Sequence, residues 1–153
     1  MRWLEHLIPP PLVALLIALG MWGLARTAAP LDVSYGLRVG VAVVLLALGL
    51  ASAVSGFVTF RREGANIDPH KIDRGDVLVT RGIYRWTRNP MYLGATLVLC
   101  GYAAYLGRSI SAIGPLCFVA FITRFQILPE ERAMLAKFGA RYEDYRHATR
   151  RWL

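Results

Sequence analysis

Apolar positions along this chain come in long unbroken runs rather than on one face of short segments. The runs are Leu7 to Ala25, Val39 to Phe60, Met91 to Leu106 and Ile110 to Leu128. The second has no ionisable residue over 22 positions. About 20 apolar residues in helical form cross the roughly 30 Å hydrocarbon core of a bilayer. The pattern therefore predicts an all-α integral membrane protein with about four transmembrane helices in one domain, residues 1–153, with helices over about 7–25, 39–60, 91–106 and 110–128. Pro9, Pro10 and Pro11 stand near the start of the first run, where a helix tolerates residues lacking an N–H. Thr27 to Tyr35 reads as a tight connection. Gly107-Arg108-Ser109 leaves room only for a turn, so the third and fourth runs should form an antiparallel hairpin.

Two polar stretches remain. Residues 61–90 hold Gly64, Pro69, Gly75 and Gly82, and read as a structured loop with little regular helix. A loop of that length in a small protein is usually functional. In the tail, 129–153, Met134, Leu135, Phe138, Tyr142 and Tyr145 recur at helical spacing among charges, predicting an amphipathic surface helix. The loop carries seven Lys or Arg residues (Arg61, Arg62, Lys71, Arg74, Arg81, Arg85, Arg88) and the tail six (Arg132, Lys137, Arg141, Arg146, Arg150, Arg151). The opposite connections hold only Arg26 and Arg108, with Arg38 just inside the second run. Positive residues stay on the cytoplasmic side, so loop, tail and both termini should face the cytoplasm of a plasma or inner membrane. Both polar segments then meet at one bilayer face.

Composition agrees: the chain is 56% hydrophobic, with mean hydropathy +0.41 and net charge +8. The basic excess is accounted for by orientation and anionic lipid. No soluble fold with a basic face is visible, so nucleic acid is not an expected partner. Cys100 and Cys117 sit in apolar runs and read as small buried hydrophobes. His6, His70 and His147 are scattered without metal-ligand spacing; His70 alone lies in the long loop. The first run follows Glu5 and His6 and lacks a small-residue cleavage site, so it reads as retained rather than as a signal peptide. Nothing in the sequence sets an oligomeric state.

Three places can carry chemistry. The stretch Gly82 to Gly94 opens the third run: Asn89 can cap the helix, Pro90 fits its first turn, and Arg88 suits the headgroup layer. Two tyrosines and two arginines also crowd this entrance, and a helix N-terminus can receive a carboxylate. Glu130-Glu131 follows Pro129, where acidic residues favour the positive end of a helix dipole, or could bind a cation or an amino group. Arg124 with Gln126 is either an end-of-helix arginine reaching for the surface or an anion clamp facing the bundle. Tyr142, Tyr145 and Trp152 read as interfacial anchors.

Taken together, Asp76-Val77-Leu78-Val79-Thr80-Arg81-Gly82-Ile83-Tyr84, then Arg88-Asn89-Pro90-Met91-Tyr92-Leu93-Gly94, then Glu130-Glu131, Phe138-Gly139, Tyr142, Tyr145 and Arg151 resemble the isoprenylcysteine carboxyl methyltransferase and phospholipid methyltransferase superfamily. The likeness covers roughly the C-terminal half, in an ordered series of motifs. It implies S-adenosylmethionine as cofactor, with S-adenosylhomocysteine as product, bound at the cytoplasmic end of the bundle beneath the C-terminal segment. Carried over by position, Asp76, Val77, Leu78, Val79, Tyr84, Asn89, Pro90, Met91, Tyr92 and Glu130 would line the cofactor. Arg88, Asn89 and Arg124 would serve catalysis, and Arg124 and Gln126 would meet the substrate. Many relatives carry His at the position of Asn89; an amide donates a hydrogen bond but does not titrate. Gln126 stands where the eukaryotic prenylcysteine enzymes place a carboxylate-binding arginine.

The resemblance thus implies methyl transfer to a lipophilic or lipidated acceptor, a carboxylate or thiol, at the membrane interface. A phospholipid-amine N-methyltransferase and a non-catalytic membrane subunit are the alternatives. Soluble nucleotide-fold methyltransferases need a glycine-rich turn after a strand, which this chain lacks. Displacement at a sulfonium asks mainly for positioning, which contributes up to about 7–11 kcal/mol when alignment is good. If Tyr84, Asn89, Tyr92 and Glu130 converge beneath the C-terminal helix around a pocket, the enzyme reading is favoured. If Glu130 and Glu131 face bulk water, they are helix-end charges.

Overall fold

The computed structural model describes residues 8–64 and 77–153, and its order is helical throughout the described residues. Helix α1 spans Pro10–Ala25 and α2 spans Tyr35–Arg62. After a 3-10 turn at Gly82–Arg85 come α3 (Pro90–Leu106), a second 3-10 turn (Ser109–Ala112), α4 (Ile113–Ile122), a π-helical turn (Thr123–Ile127), α5 (Leu128–Phe138) and α6 (Ala140–Ala148). The start of the first run, much of the 61–90 loop, Asp76 and His70 lie outside the described residues.

Helix α2 begins where Ser34 caps it by accepting from the Leu37 N–H, at 3.4 Å. Its 28 residues extend over about 42 Å at about 1.5 Å per residue, more than a bilayer core needs. Only 17% of its most apolar stretch is buried inside the protein, so it is not the core helix of a soluble fold. Leu37, Val43, Val44, Leu48, Leu50 and Val54 face outward. The helical stretch from Ser109 to Phe138 is the second one long and apolar enough to cross a membrane. Helices α1 and α3 are equally apolar but shorter, at 16 and 17 residues. So continuous an exposed apolar surface requires a non-aqueous surround, and the chain is built for a membrane.

In lipid, helices associate by close packing rather than by burial from water, and small residues let backbones approach. The α2–α3 pair, the most extensive in the molecule, follows this rule. A Cβ added at Gly94 would lie 2.5 Å from the Gly49 carbonyl oxygen, and one at Gly49 would lie 2.7 Å from that of Gly94. One turn on, the Ser52 hydroxyl donates to the Pro90 carbonyl at 2.8 Å, a group with no water to turn to at this depth. Val13, Ile17, Met21 and Ala25 recur every fourth residue on α1, and Val13 and Met21 join Leu99, Phe118, Ile122 and Ile127 in the core. At the far end Gly107 closes α3 in the left-handed region, φ 61°, making the expected turn. Arg108 there donates to the Ala28 carbonyl at 2.7 Å, tying the connection after α1 to the hairpin.

One expected boundary moves. The fourth run does not stop at Leu128: the chain stays helical through Pro129 to Phe138. Proline removes one N–H and its ring crowds the carbonyl four residues earlier. Here the turn immediately before it widens to a π-helix at Thr123–Ile127. A π-turn adds one residue to the helix, turning everything after it by about 100°. This turn sets the face on which Glu130 and Glu131 emerge.

Gly94→Val should force α2 and α3 apart, because backbone rather than a movable side chain fills the space. The expected destabilisation is about 1–3 kcal/mol, read as a lower unfolding temperature of the detergent-solubilised protein. An unchanged midpoint would contradict this packing.

Candidate active site

The end of the bundle formed by the C-terminus of α2, the N-terminus of α3 and helix α5 holds a cleft. Its void, counted out to the open mouth, is about 500 Å³. Most of the wall comes from Val77 to Val79 with Tyr84, Arg88 and Asn89; from Ile127, Glu130, Glu131 and Met134; and from Tyr142 with Tyr145 of α6. Phe60 of α2 completes it.

The polar groups are individually held. Tyr92 donates its hydroxyl to Glu130 Oε1 at 2.7 Å from the adjoining turn of α3. Tyr145 donates to the Tyr84 carbonyl at 2.7 Å, closing α6 over the cleft. Burial pushes the phenols of Tyr84, Tyr142 and Tyr145 above their ordinary range; the Glu130 carboxylate adds to this at Tyr84 and that of Glu131 at Tyr142. All three are therefore neutral hydroxyls at physiological pH, available as donors and as aromatic faces.

Glu131 is buried, 9% exposed, and two arginines converge on it. Arg151 makes a two-pronged contact, Nε to Oε1 at 2.9 Å and Nη2 to Oε2 at 2.7 Å. Arg88 Nη2 lies 3.2 Å from Oε1. The tail is clamped to the loop beside them: the Arg88 N–H donates to the Arg150 carbonyl at 3.0 Å, while Asn89 Nδ2 and the Thr87 hydroxyl both reach the Arg151 carbonyl, at 3.0 and 3.3 Å. Arg88 Nε and Nη1 are buried without a hydrogen-bond partner. A buried donor left unpaired costs about 1–3 kcal/mol, more on a charged group.

Several expectations change here. Asn89 occupies the cap position of α3 but makes no capping bond; its amide is spent on the tail. Arg88 is not a headgroup arginine but a buried one bordering the cleft, with its side chain 9% exposed. Glu130 and Glu131 do not sit at a free helix end, because the π-turn runs into α5 and its N–H groups are not all unclaimed. Tyr142 and Tyr145 line the cleft instead of anchoring at the interface, and Trp152 packs against the core. Tyr92 acts behind the wall, through Glu130; Pro90 and Met91 lie at the start of α3 outside the wall, though Pro90 is buried against α2. Arg124 is exposed with its guanidinium 5.5 Å from the Phe125 ring, and Gln126 is buried and donates to the Ile8 carbonyl at 3.0 Å; neither borders the cleft. Asp76 lies outside the described residues. Among the described residues no cluster of three or more His, Cys, Asp or Glu side chains could hold a metal ion.

A family model described as phospholipid methyltransferase matches residues 37–141, from the first turn of α2 into α6. The chain is 32% identical over 108 residues to the protein-S-isoprenylcysteine O-methyltransferase of Schizosaccharomyces pombe, covering 69% of this chain and 44% of that protein. It is 36% identical over 75 residues to the protein-S-isoprenylcysteine O-methyltransferase of Tribolium castaneum, covering 45% of this chain and 25% of that protein. An uncharacterized protein of Haemophilus influenzae is 40% identical over 63 residues, 41% of this chain and 100% of that one. The chain thus spans less than half the length of the two methyltransferases it matches. No solved structure matches it. The family match takes in α2, α3, the π-turn and both cleft glutamates, and on it the chain belongs to the phospholipid methyltransferase family.

Proposed function

We propose that this protein is an S-adenosylmethionine-dependent methyltransferase that methylates a lipophilic or lipidated acceptor at the cytoplasmic membrane interface, releasing S-adenosylhomocysteine. The observation that carries the reading is the convergence of Tyr84, Asn89, Glu130, Tyr142 and Tyr145 on one cleft, with Tyr92 hydrogen-bonded to Glu130 behind it. The residues present suit the cofactor. Glu130, whose pKa burial pushes up to about 7, offers a carboxyl group that can accept from an amino or hydroxyl group. The neutral tyrosine faces suit a sulfonium, an attraction of about 0.5–2 kcal/mol. Val77, Val79, Ile127 and Met134 offer an apolar wall for a flat base.

When bound, the cofactor would supply an electrophilic methyl group on a positively charged sulfur. The protein's own part is to orient and to exclude water. Tyr92 fixes the Glu130 carboxylate. Tyr145, bonded to the Tyr84 carbonyl, holds α6 as a roof that keeps water from the nucleophile. Asn89 holds the tail in place and moves no proton. Phe60 would meet the acceptor's apolar part on the membrane side. In this reading α1 to α4 cross the bilayer as four spans, and the basic residues of the loop and tail hold the cleft on the cytoplasmic face.

The detergent-purified protein should bind S-adenosylmethionine and S-adenosylhomocysteine with micromolar affinity by calorimetry. Glu130→Gln should weaken that binding about 10- to 100-fold, the effect of losing a hydrogen bond to a charged group at about 1.5–3 kcal/mol. Unaltered affinity in a folded variant would remove Glu130 from the site. Tyr92→Phe should weaken binding less, and adding it to Glu130→Gln should cost nothing more, since one acts through the other. Additive losses would show that Tyr92 acts independently.

A further inference from the structure

We propose that Arg88, held in place by Glu131 and Arg151, is the binding group for a carboxylate of the cleft's ligand. The inference rests on the cleft being a ligand site as proposed above, and it gives that site its anion-binding element.

Three observations converge. First, the Arg88 side chain is more than nine-tenths buried and borders the cleft, where it meets Glu131 through Nη2 and also contacts the Tyr142 hydroxyl. Nε and Nη1 are buried without a hydrogen-bond partner, and Nη1 together with the second hydrogen of Nη2 forms the end of the guanidinium that can take a carboxylate with two parallel bonds. Second, two guanidiniums share the one Glu131 carboxylate, which leaves a positive charge over. Glu130, the next acid, takes its hydrogen bond from Tyr92 instead. Third, the group is held rigidly. The Arg88 backbone is bonded to the tail at Arg150, and Arg151 grips both Glu131 oxygens. Arg151 is thus a positioning residue: by occupying both oxygens it stops Arg88 from turning its own fork onto Glu131, and so keeps the second edge of that fork unspent. Gly139, at φ 53° and ψ −127°, joins α5 to α6 in a conformation suited to glycine.

A carboxylate could come from the amino-acid end of S-adenosylmethionine or from a lipophilic acceptor. Binding to detergent-purified wild type, Arg88→Lys and Arg151→Gln would be measured with two ligand pairs: S-adenosylhomocysteine against its decarboxylated analogue, and a long-chain S-alkyl N-acetylcysteine against its carboxamide. Lysine keeps the charge opposite Glu131 but lacks the fork.

For one pair, wild type should favour the carboxylate-bearing member about tenfold or more. Arg88→Lys should shrink that preference below about threefold, and Arg151→Gln should reduce it in the same direction. Binding of the carboxylate-free member should stay unchanged in Arg88→Lys, which also reports an intact cleft. A preference confined to the nucleoside pair assigns the carboxylate to the cofactor; one confined to the cysteine pair assigns it to the acceptor. Equal preferences in wild type and Arg88→Lys for both pairs, or no preference in wild type for either, would overturn the inference. If wild type binds neither nucleoside, the proposed function fails, while the cysteine pair still decides the role of Arg88.

Discussion

A buried carboxylate must be paired, and most of this protein's functional end is arranged around that requirement at Glu131. Its partners come from opposite directions along the chain, Arg88 from the loop before α3 and Arg151 from the last residues of the tail. Removing one partner of a fully buried pair typically costs about 3–5 kcal/mol, which applies to Arg88, while the partly exposed Arg151 contributes less because solvent screens it. The pairing therefore ties together the loop, helix α5 and the tail. With the tail fixed, α6 lies over the cleft and brings Tyr142 and Tyr145 to its wall.

The second constraint is proline. Pro129 cannot be accommodated in an ordinary α-helical turn without losing a hydrogen bond and crowding a carbonyl. The π-turn before it resolves the conflict and shifts the helix register by one residue. Ile127 becomes core, Gln126 turns inward to Ile8, and Glu130 and Glu131 face Tyr92 and the arginines. A helix shaped by its membrane path thus also delivers the acids of the site.

The sequence made the apolar helices legible because long uncharged runs have one physical solution in lipid. The Gly107 turn was equally legible, and so was the meeting of loop and tail, which followed from charge asymmetry alone. What could not be read was direction. Glu130-Glu131 after Pro129 has the same local pattern whether the helix begins there or runs through; only the π-turn decides. Asn89-Pro90 spells a cap, but the amide is drawn off by a carbonyl 62 residues away. Tyr142 and Tyr145 read as part of one amphipathic tail helix, but the chain breaks at Gly139 into α5 and α6, and the cleft that α6 covers had no local signal. Arg151 carried no local signal: its partner is set wholly by the folded tail.

The account's central claim is that this cleft transfers a methyl group to a lipid-like acceptor. The most direct test is incubation of reconstituted protein with methyl-labelled S-adenosylmethionine and a total lipid and lipidated-peptide extract, followed by counting label in the organic phase. The account predicts labelled lipophilic product from wild type and a large loss with Glu130→Gln. Label from wild type no greater than that from protein-free vesicles, with the protein folded, would contradict it.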